Sequence, residues 1–532
     1  VNHNHYDPEL GIASVTTTEG QIVYSLLCNP GTRTPAVNAS TLAAYSRSSR
    51  SIPELLAYRK DKSISAEEVL DRVISDYNHD SVRGLGHLSV AMEGIDCITA
   101  MQFFYNHHLQ DGQERSTRYQ NYIKGGRQYA PYPMSDTSLG LCPTAVGTST
   151  TDSACYYEIL DYWLDGYEYF YPLVKDYLAN RFEVDSKHTA LVPRTLDCVR
   201  YLIPMGVSTS VGAIQSGREW SKWISTLSNN MQADLSNALT TLMKRGWDGY
   251  VPEGDILIRL GSGESADVLG MVNAVYGCRP YSIEPWDVTL PIIENFYVTT
   301  PGGVNYFNGA DPLLIHLHLL KHPSRKAGPL RCGDELQGLL AAYNWKNEIG
   351  PLGSGSNVVV HGVADIGTIK DLQRHRTLPS FIPLLHSEMN ISQDLQGESY
   401  TIHPYLIGTP IGQEMLAYMS VGYEKIRQWM QYLRLSSVVY QSSKEYRERD
   451  TLESRTIKNL LPHGHVTPYI FYGTPYTFMG YVADLRSKPG GHMAYRLLAQ
   501  AWACEISYQW PSWGCKLPPM PTFSRDEFID RT

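Results

Sequence analysis

The chain lacks paired cysteines. Its nine (Cys28, Cys97, Cys142, Cys155, Cys198, Cys278, Cys332, Cys504 and Cys515) are scattered, none in a C-x-x-C pair, and the number is odd. That argues against a disulfide framework and a zinc site, and fits reduced thiols in a cytoplasmic protein. Phenylalanine is scarce, 11 against 37 tyrosines, so most rings carry a hydroxyl that needs a partner when buried. No apolar run approaches the ~20 residues of a membrane span, and the opening VNHNHYDPEL has no signal-peptide apolar region. Val1 in place of Met reads as a trimmed or processed start. Positive charge is also short: 45 Lys and Arg against 54 Asp and Glu, a net −9. A general nucleic-acid binder has the opposite balance, so neither a nucleic-acid polymer nor a membrane is expected as partner. GSGESAD resembles a phosphate loop but lacks the G-K-[ST] lysine and is set aside.

What is present is an ordinary globular composition over 532 residues, enough for two or more domains. Residues 1–50 read as an irregular arm with short strands. Ser65-Ala-Glu-Glu68 has the form of a capping box that begins a helix. CITAMQFFY (Cys97 to Tyr105) reads as a buried strand, preceded by the Gly-punctuated turn SVRGLGHLSV. Residues 153–181 and 218–246 have the length and spacing of long helices. Between about 250 and 325 short strand-like runs alternate with Gly and Pro turns, as in a β-rich connector. Helical spacing returns at DELQGLLAAY, GQEMLAYMSVGYEKIRQWMQYL and HMAYRLLAQAWACEI.

The chain also echoes itself. At an offset of 268 residues, LGHLSVAMEGIDCITAMQFFYNHH lies ungapped over GSGSNVVVHGVADIGTIKDLQRHR, with Gly94 on Gly362, Ile98 on Ile366 and His107 on His375. At 258, CVRYLIPMG (198–206) lies over TIKNLLPHG (456–464), with Arg200 on Lys458 and Pro204 on Pro462. Two ordered matches favour a tandem duplication. The division expected is an arm (1–50), a first repeat (51–250), a β-rich connector (251–328) and a second repeat (329–532). The fold class expected is α+β, each repeat a small β-sheet flanked by long helices.

After the apolar run comes QDGQERSTRYQNY (110–122), dense in strong hydrogen-bonding groups. At these residues the chain resembles the flavin-dependent thymidylate synthase family (ThyX), whose signature is R-H-R, seven residues, then Ser, within S-x-x-E-x-S-x-R-Y. In the first repeat Asn106-His107-His108 stands in the R-H-R place, seven residues before Ser116. Glu114, Arg118 and Tyr119 fall on later signature positions, and Gly86-His87-Leu88-Ser89 supplies the upstream turn. Both arginines of the triplet are lost there, and Asp111 replaces the first serine. In the second repeat Arg374-His375-Arg376 is intact, but Ile382 stands where Glu is expected. Arg200 before Ile203-Pro204, Arg218 within Ser216-Gly217-Arg218, and Arg486 in ADLRSKPGGH match further family arginines.

The resemblance implies FAD as cofactor, a dUMP-like nucleotide as substrate, and methylenetetrahydrofolate and NADPH as co-substrates. Arg374, His375 and Arg376, with His107, Ser89 and Arg218, would bind the flavin. Ser116, Arg118, Tyr119, Arg200 and Arg486 would bind the nucleotide, with Arg118 and Glu114 closest to the chemistry. Arginine forks suit both the pyrophosphate and the monophosphate. The family's sites lie between subunits of a tetramer, so two fused copies imply a homodimer forming a pseudo-tetramer. The losses are complementary: the first copy keeps the substrate loop, the second the cofactor triplet. Bland readings stand beside these, since Glu114 and Arg118 are spaced for a local ion pair. Three functions stay open: an enzyme methylating dUMP, a catalytically silent flavin- or nucleotide-binding or structural relative, and an enzyme with a changed substrate.

Overall fold

Alternation of apolar and polar residues builds the first sheet. In HLSVAMEGID, Leu88, Val90 and Met92 turn into the core while their neighbours stay partly exposed, the period-two pattern of a half-buried strand. The structure is a computed structural model describing residues 3–7, 12–26, 35–46, 48–64, 69–70, 80–106, 110–118, 120–122, 126–133, 150–229, 232–244, 297–299, 358–375, 378–385, 400–435, 443–474, 477–509 and 519–530. Strands β1 (His3–Asp7), β2 (Ile12–Thr16), β3 (Ile22–Leu26), β4 (His87–Asp96), β5 (Gln110–Glu114) and β6 (Ser208–Ser216) form one antiparallel sheet, ordered β1-β2-β3-β4-β6-β5. A second has β7 (Tyr297–Thr299), β8 (Val358–Asp365), β9 (Ser380–Phe381) and β10 (Val466–Gly473), ordered β7-β8-β10-β9. With the long helices below, the fold is α+β.

The helices used below are α1 (Cys97–Asn106), α2 (Thr150–Arg181), α3 (Leu191–Val199), α4 (Gly217–Asn229), α5 (Ala233–Lys244), α6 (Ile366–Leu372), α7 (Pro410–Leu435), α8 (Ser443–Leu460) and α9 (Met493–Gln509). The run CITAMQFFY is therefore helix α1, not a strand. The cause is a cap: Asp96 Oδ1 accepts the Thr99 N–H at 2.6 Å, ending β4 and starting the helix. Asp365 does the same for the Thr368 N–H at 2.8 Å, between β8 and α6. Aligning the two caps sets Asp96 on Asp365 and Thr99 on Thr368, an offset of 269. The ungapped 268 register thus slips by one across the bulge between Glu93 and Ile95, where Gly94 adopts φ +75°. Residues 218–246 are two helices: α4 stops at Asn229 and α5 starts at Ala233. The capping box at Ser65 and the runs DILIRL and DELQGLLAAY lie outside the described residues.

Trp220 and Trp223 of α4 and Leu235 and Leu239 of α5 cover the first sheet with Phe103 of α1. The larger core is continuous across the chain, joining Trp163, Phe170 and Tyr201 to Tyr423, Leu460 and Trp502. Around it the backbone bonds are reciprocal. Met205 N donates to Leu461 O, and His463 N to Ile203 O; Gly206 N donates to Asn459 O, and Gly464 N to Tyr201 O. Likewise Tyr162 Oη donates to Tyr418 O and Tyr418 Oη to Tyr162 O, with the rings stacked 4.3 Å apart. Helices α2 and α7 approach closely at glycines. A Cβ on Gly166 would lie 2.3 Å from the Tyr418 ring, and one on Gly422 2.4 Å from Trp163.

Candidate functional site: an arginine–aspartate chain

Two D-x-x-R segments meet where α3 and α6 end. Asp197 and Arg200 come from the end of α3 and the turn after it; Asp371 and Arg374 come from the end of α6. Arg118, in the loop after β5, holds Asp197 with two bonds, Nε to Oδ1 at 2.6 Å and Nη2 to Oδ2 at 3.0 Å. Arg200 Nη1 crosses to Asp371 Oδ2 at 2.9 Å. Arg374 lies 3.7 Å from the other oxygen of Asp371. The result is an alternating chain, Arg118–Asp197, Arg200–Asp371, Arg374, running from the buried Arg200 to an Arg374 side chain that is 37% exposed.

The charges set one another. Burial alone would raise the Asp197 carboxyl, but Arg118, Arg200 and Arg194 together hold it below its ordinary value. Asp371 is likewise buried, yet Arg200, Arg374, Arg118 and Arg486 hold its carboxyl far below the usual range. Asp197 keeps the Arg118 guanidinium protonated against desolvation. Arg194 is spent on main chain, donating to the carbonyls of Pro489, Gly491 and Asp530. Arg118, Arg200, Arg374 and Arg486, with Arg194 3.9 Å from Asp197, outnumber the two aspartates, so the cluster is net positive.

Arg200 carries the clearest vacancy in bonding. It is 1% exposed, and its Nε and Nη2 have no hydrogen-bond partner among the described residues. Buried guanidinium N–H groups without an acceptor are costly. Gly367 lets this group lie against α6: a Cβ there would sit 3.2–3.3 Å from Arg200 Nη2 and Cζ.

Beside the chain, Arg486 Nε donates to His375 Nε2 at 2.6 Å, which places the His375 proton on Nδ1. Burial, then Arg486, push that imidazole down to about 3. Arg486 and Arg118 both stack on Tyr495, at 5.1 and 5.7 Å from the ring centre, and Arg118 Nη1 donates to its hydroxyl at 3.2 Å. Tyr201, His403 and His492 pack as a further aromatic wall, with the two imidazoles 4.6 Å apart.

The structure thus brings Arg118 and Arg200 of the first half to Arg374, His375 and Arg486 of the second. Ser116 lies in the same loop, its Oγ accepting the Arg118 N–H at 3.3 Å. Glu114, expected to accept from a ligand, instead meets Lys370 at 2.6 Å, both side chains nearly fully buried. Ser89 lies in mid-strand on β4, opposite Ile214. Arg218 sits in the first turn of α4, 3.5 Å from Glu219, at the end of β6 remote from Arg200. His107, Tyr119 and Arg376 lie outside the described residues. Asp197, Asp371, Lys370 and Tyr495 were not singled out from sequence. The paired D-x-x-R spacing was the available signal for the two aspartates.

No family model matches the chain. A UPF0159 protein of Chlamydia pneumoniae is 22% identical over 479 residues, covering 83% of this chain and 78% of that protein. A UPF0159 protein of Chlamydia muridarum is 26% identical over 198 residues, 34% of each chain. Among solved structures, Thymidylate Synthase X (ThyX) from Helicobacter pylori, solved with FAD and dUMP, is similar over 42% of this chain and 94% of that one, at 16% identity and a TM-score of 0.27. A second Helicobacter pylori ThyX structure, complexed with FAD and dUMP, gives 17% identity with the same coverage and TM-score. A TM-score this low establishes no common fold. No described helix is long and apolar enough to cross a membrane, and among the described residues no group of three or more His, Cys, Asp or Glu is placed to hold a metal.

Proposed function

We propose that the arginine–aspartate chain binds a pyrimidine nucleoside monophosphate such as dUMP beside an FAD, in an FAD-dependent, thymidylate synthase-like enzyme. The observation that carries this is the unsatisfied Nε/Nη2 edge of Arg200 within a cluster where arginines outnumber aspartates. A guanidinium edge with parallel N–H groups matches a phosphate bidentately. The Asp371 bond to Nη1 fixes the plane of that guanidinium. Arg374, loosely paired and partly exposed, is placed for a pyrophosphate. His375 beside it is neutral at physiological pH. A bound flavin supplies the hydride chemistry and folate the one-carbon unit; this chain's residues supply position and charge.

The reciprocal bonds support a tandem duplication whose copies face each other across a pseudo-two-fold axis. The composite site then forms within one chain, at the junction of the copies. The alternative, a catalytically silent relative, is favoured by one observation: Arg118 and Glu114 are already ion-paired inside the protein, with Asp197 and Lys370. Exchange of the uracil C5 hydrogen decides between the two. Incubated with reduced FAD, [5-³H]dUMP and methylenetetrahydrofolate, the enzyme releases tritium to water. Nucleotide binding with no release supports the silent relative.

A further inference from the structure

The reciprocal bonds define which residues exchange places. Under the 258 offset Asp197 falls on Arg455 and Arg200 on Lys458; under the 269 offset set by the helix caps, Asp371 falls on Gln102 and Arg374 on Tyr105. The site's two D-x-x-R segments therefore correspond to R-T-I-K (455–458) and Q-F-F-Y (102–105) at a second junction of the same two halves.

We infer that each chain carries one nucleotide site, and that this second junction is a sealed structural joint. The inference rests on the nucleotide reading above. Most groups at the joint are spent on the protein itself, although Arg455 Nε has no hydrogen-bond partner among the described residues. Arg455 Nη2 donates to Asp96 Oδ2 at 2.9 Å, and Asp96 also caps α1. Gln102 Nε2 donates to Leu385 O at 2.7 Å. Tyr105, where the site has its exposed Arg374, is half-buried and bonds the main chain of Ile382. Lys458 is 2% exposed. Among the described residues the alternation of acid and arginine that fixes Arg200 has no counterpart there, and neither does a cation at an open mouth. Met101 stands where the site has Lys370, so an apolar side chain fills that position.

Equilibrium dialysis of the full chain against radiolabelled dUMP, with FAD present, reads the stoichiometry. One dUMP per chain is expected. Two per chain overturns the sealed joint and leaves the nucleotide reading intact. No binding overturns the nucleotide reading itself, and the inference with it. Two variants give an independent check. Arg200→Lys is expected to raise Kd at least tenfold for all bound nucleotide, and retention of half the sites at wild-type affinity overturns the inference. Gln102→Met is expected to leave both stoichiometry and affinity unchanged; a tenfold loss of affinity there overturns it.

Discussion

Arg118 and Asp197 are bonded at both ends of their forks inside the protein, so removing one strands the other. Breaking a buried pair from one side costs about 3–5 kcal/mol. Arg118→Ala is expected to lower the urea midpoint accordingly, and Lys370→Met to do the same by stranding Glu114. Lys370→Met with Glu114→Met together should recover much of the loss, since an apolar pair of similar volume removes both desolvated charges. A double variant no better than Lys370→Met alone contradicts this. The imidazoles give a pH dependence. Burial pushes His375, His403 and His465 to about 3, while an unfolded histidine titrates near about 6.5. The unfolded state therefore binds protons that the folded state refuses. Stability is full above about pH 6.5 and falls as the pH drops towards 3, by at most about 1.4 kcal/mol per histidine per unit. Urea midpoints at pH 7.5, 6.5 and 5.5 check this, and a flat profile refutes it. At this scale Arg118, Arg200, Arg374 and Arg486, which the structure brings together, were legible in the sequence through motif spacing, while Arg218 lies elsewhere. Their acidic partners were not, because Asp197 and Asp371 gain meaning only once α3 and α6 meet.

The α2–α7 crossing depends on Gly166 and Gly422, whose missing side chains admit Tyr418 and Trp163. Alanine at Gly422 improves helix propensity by about 1 kcal/mol but drives a methyl into the fully buried Trp163 ring. Overpacking of this kind costs roughly 1–3 kcal/mol. Gly422→Ala is thus expected to lower the thermal midpoint, and a rise contradicts the packing described. Asp365→Ala should remove a cap worth about 1 kcal/mol and loosen α6 under Arg200. The helices with long apolar periods, α2, α7 and α9, were legible in the sequence. CITAMQFFY was misread because nine apolar residues fit a buried strand or a buried helix equally. The Asp96-x-x-Thr99 spacing was the evidence that separates them. The break near residue 231 left no Gly or Pro to mark it.

For the whole molecule, two short echoes in the sequence pointed to a duplication, and the structure adds backbone bonds that exchange when the two echoing segments exchange. Those bonds are made by buried backbone that no sequence pattern records, so they were not readable beforehand, whereas a composite site drawing on both copies was expected from the complementary losses. The central claim is that both halves build one nucleotide site. Its most direct test is the visible spectrum of the FAD-loaded protein, titrated with dUMP in the wild type, in Arg200→Lys from the first half and in Arg374→Gln from the second. The wild-type flavin bands are expected to shift with dUMP, and each single variant to lose that shift while retaining a cooperative unfolding transition. A wild-type shift surviving in either variant would mean that one half suffices, contradicting the composite site.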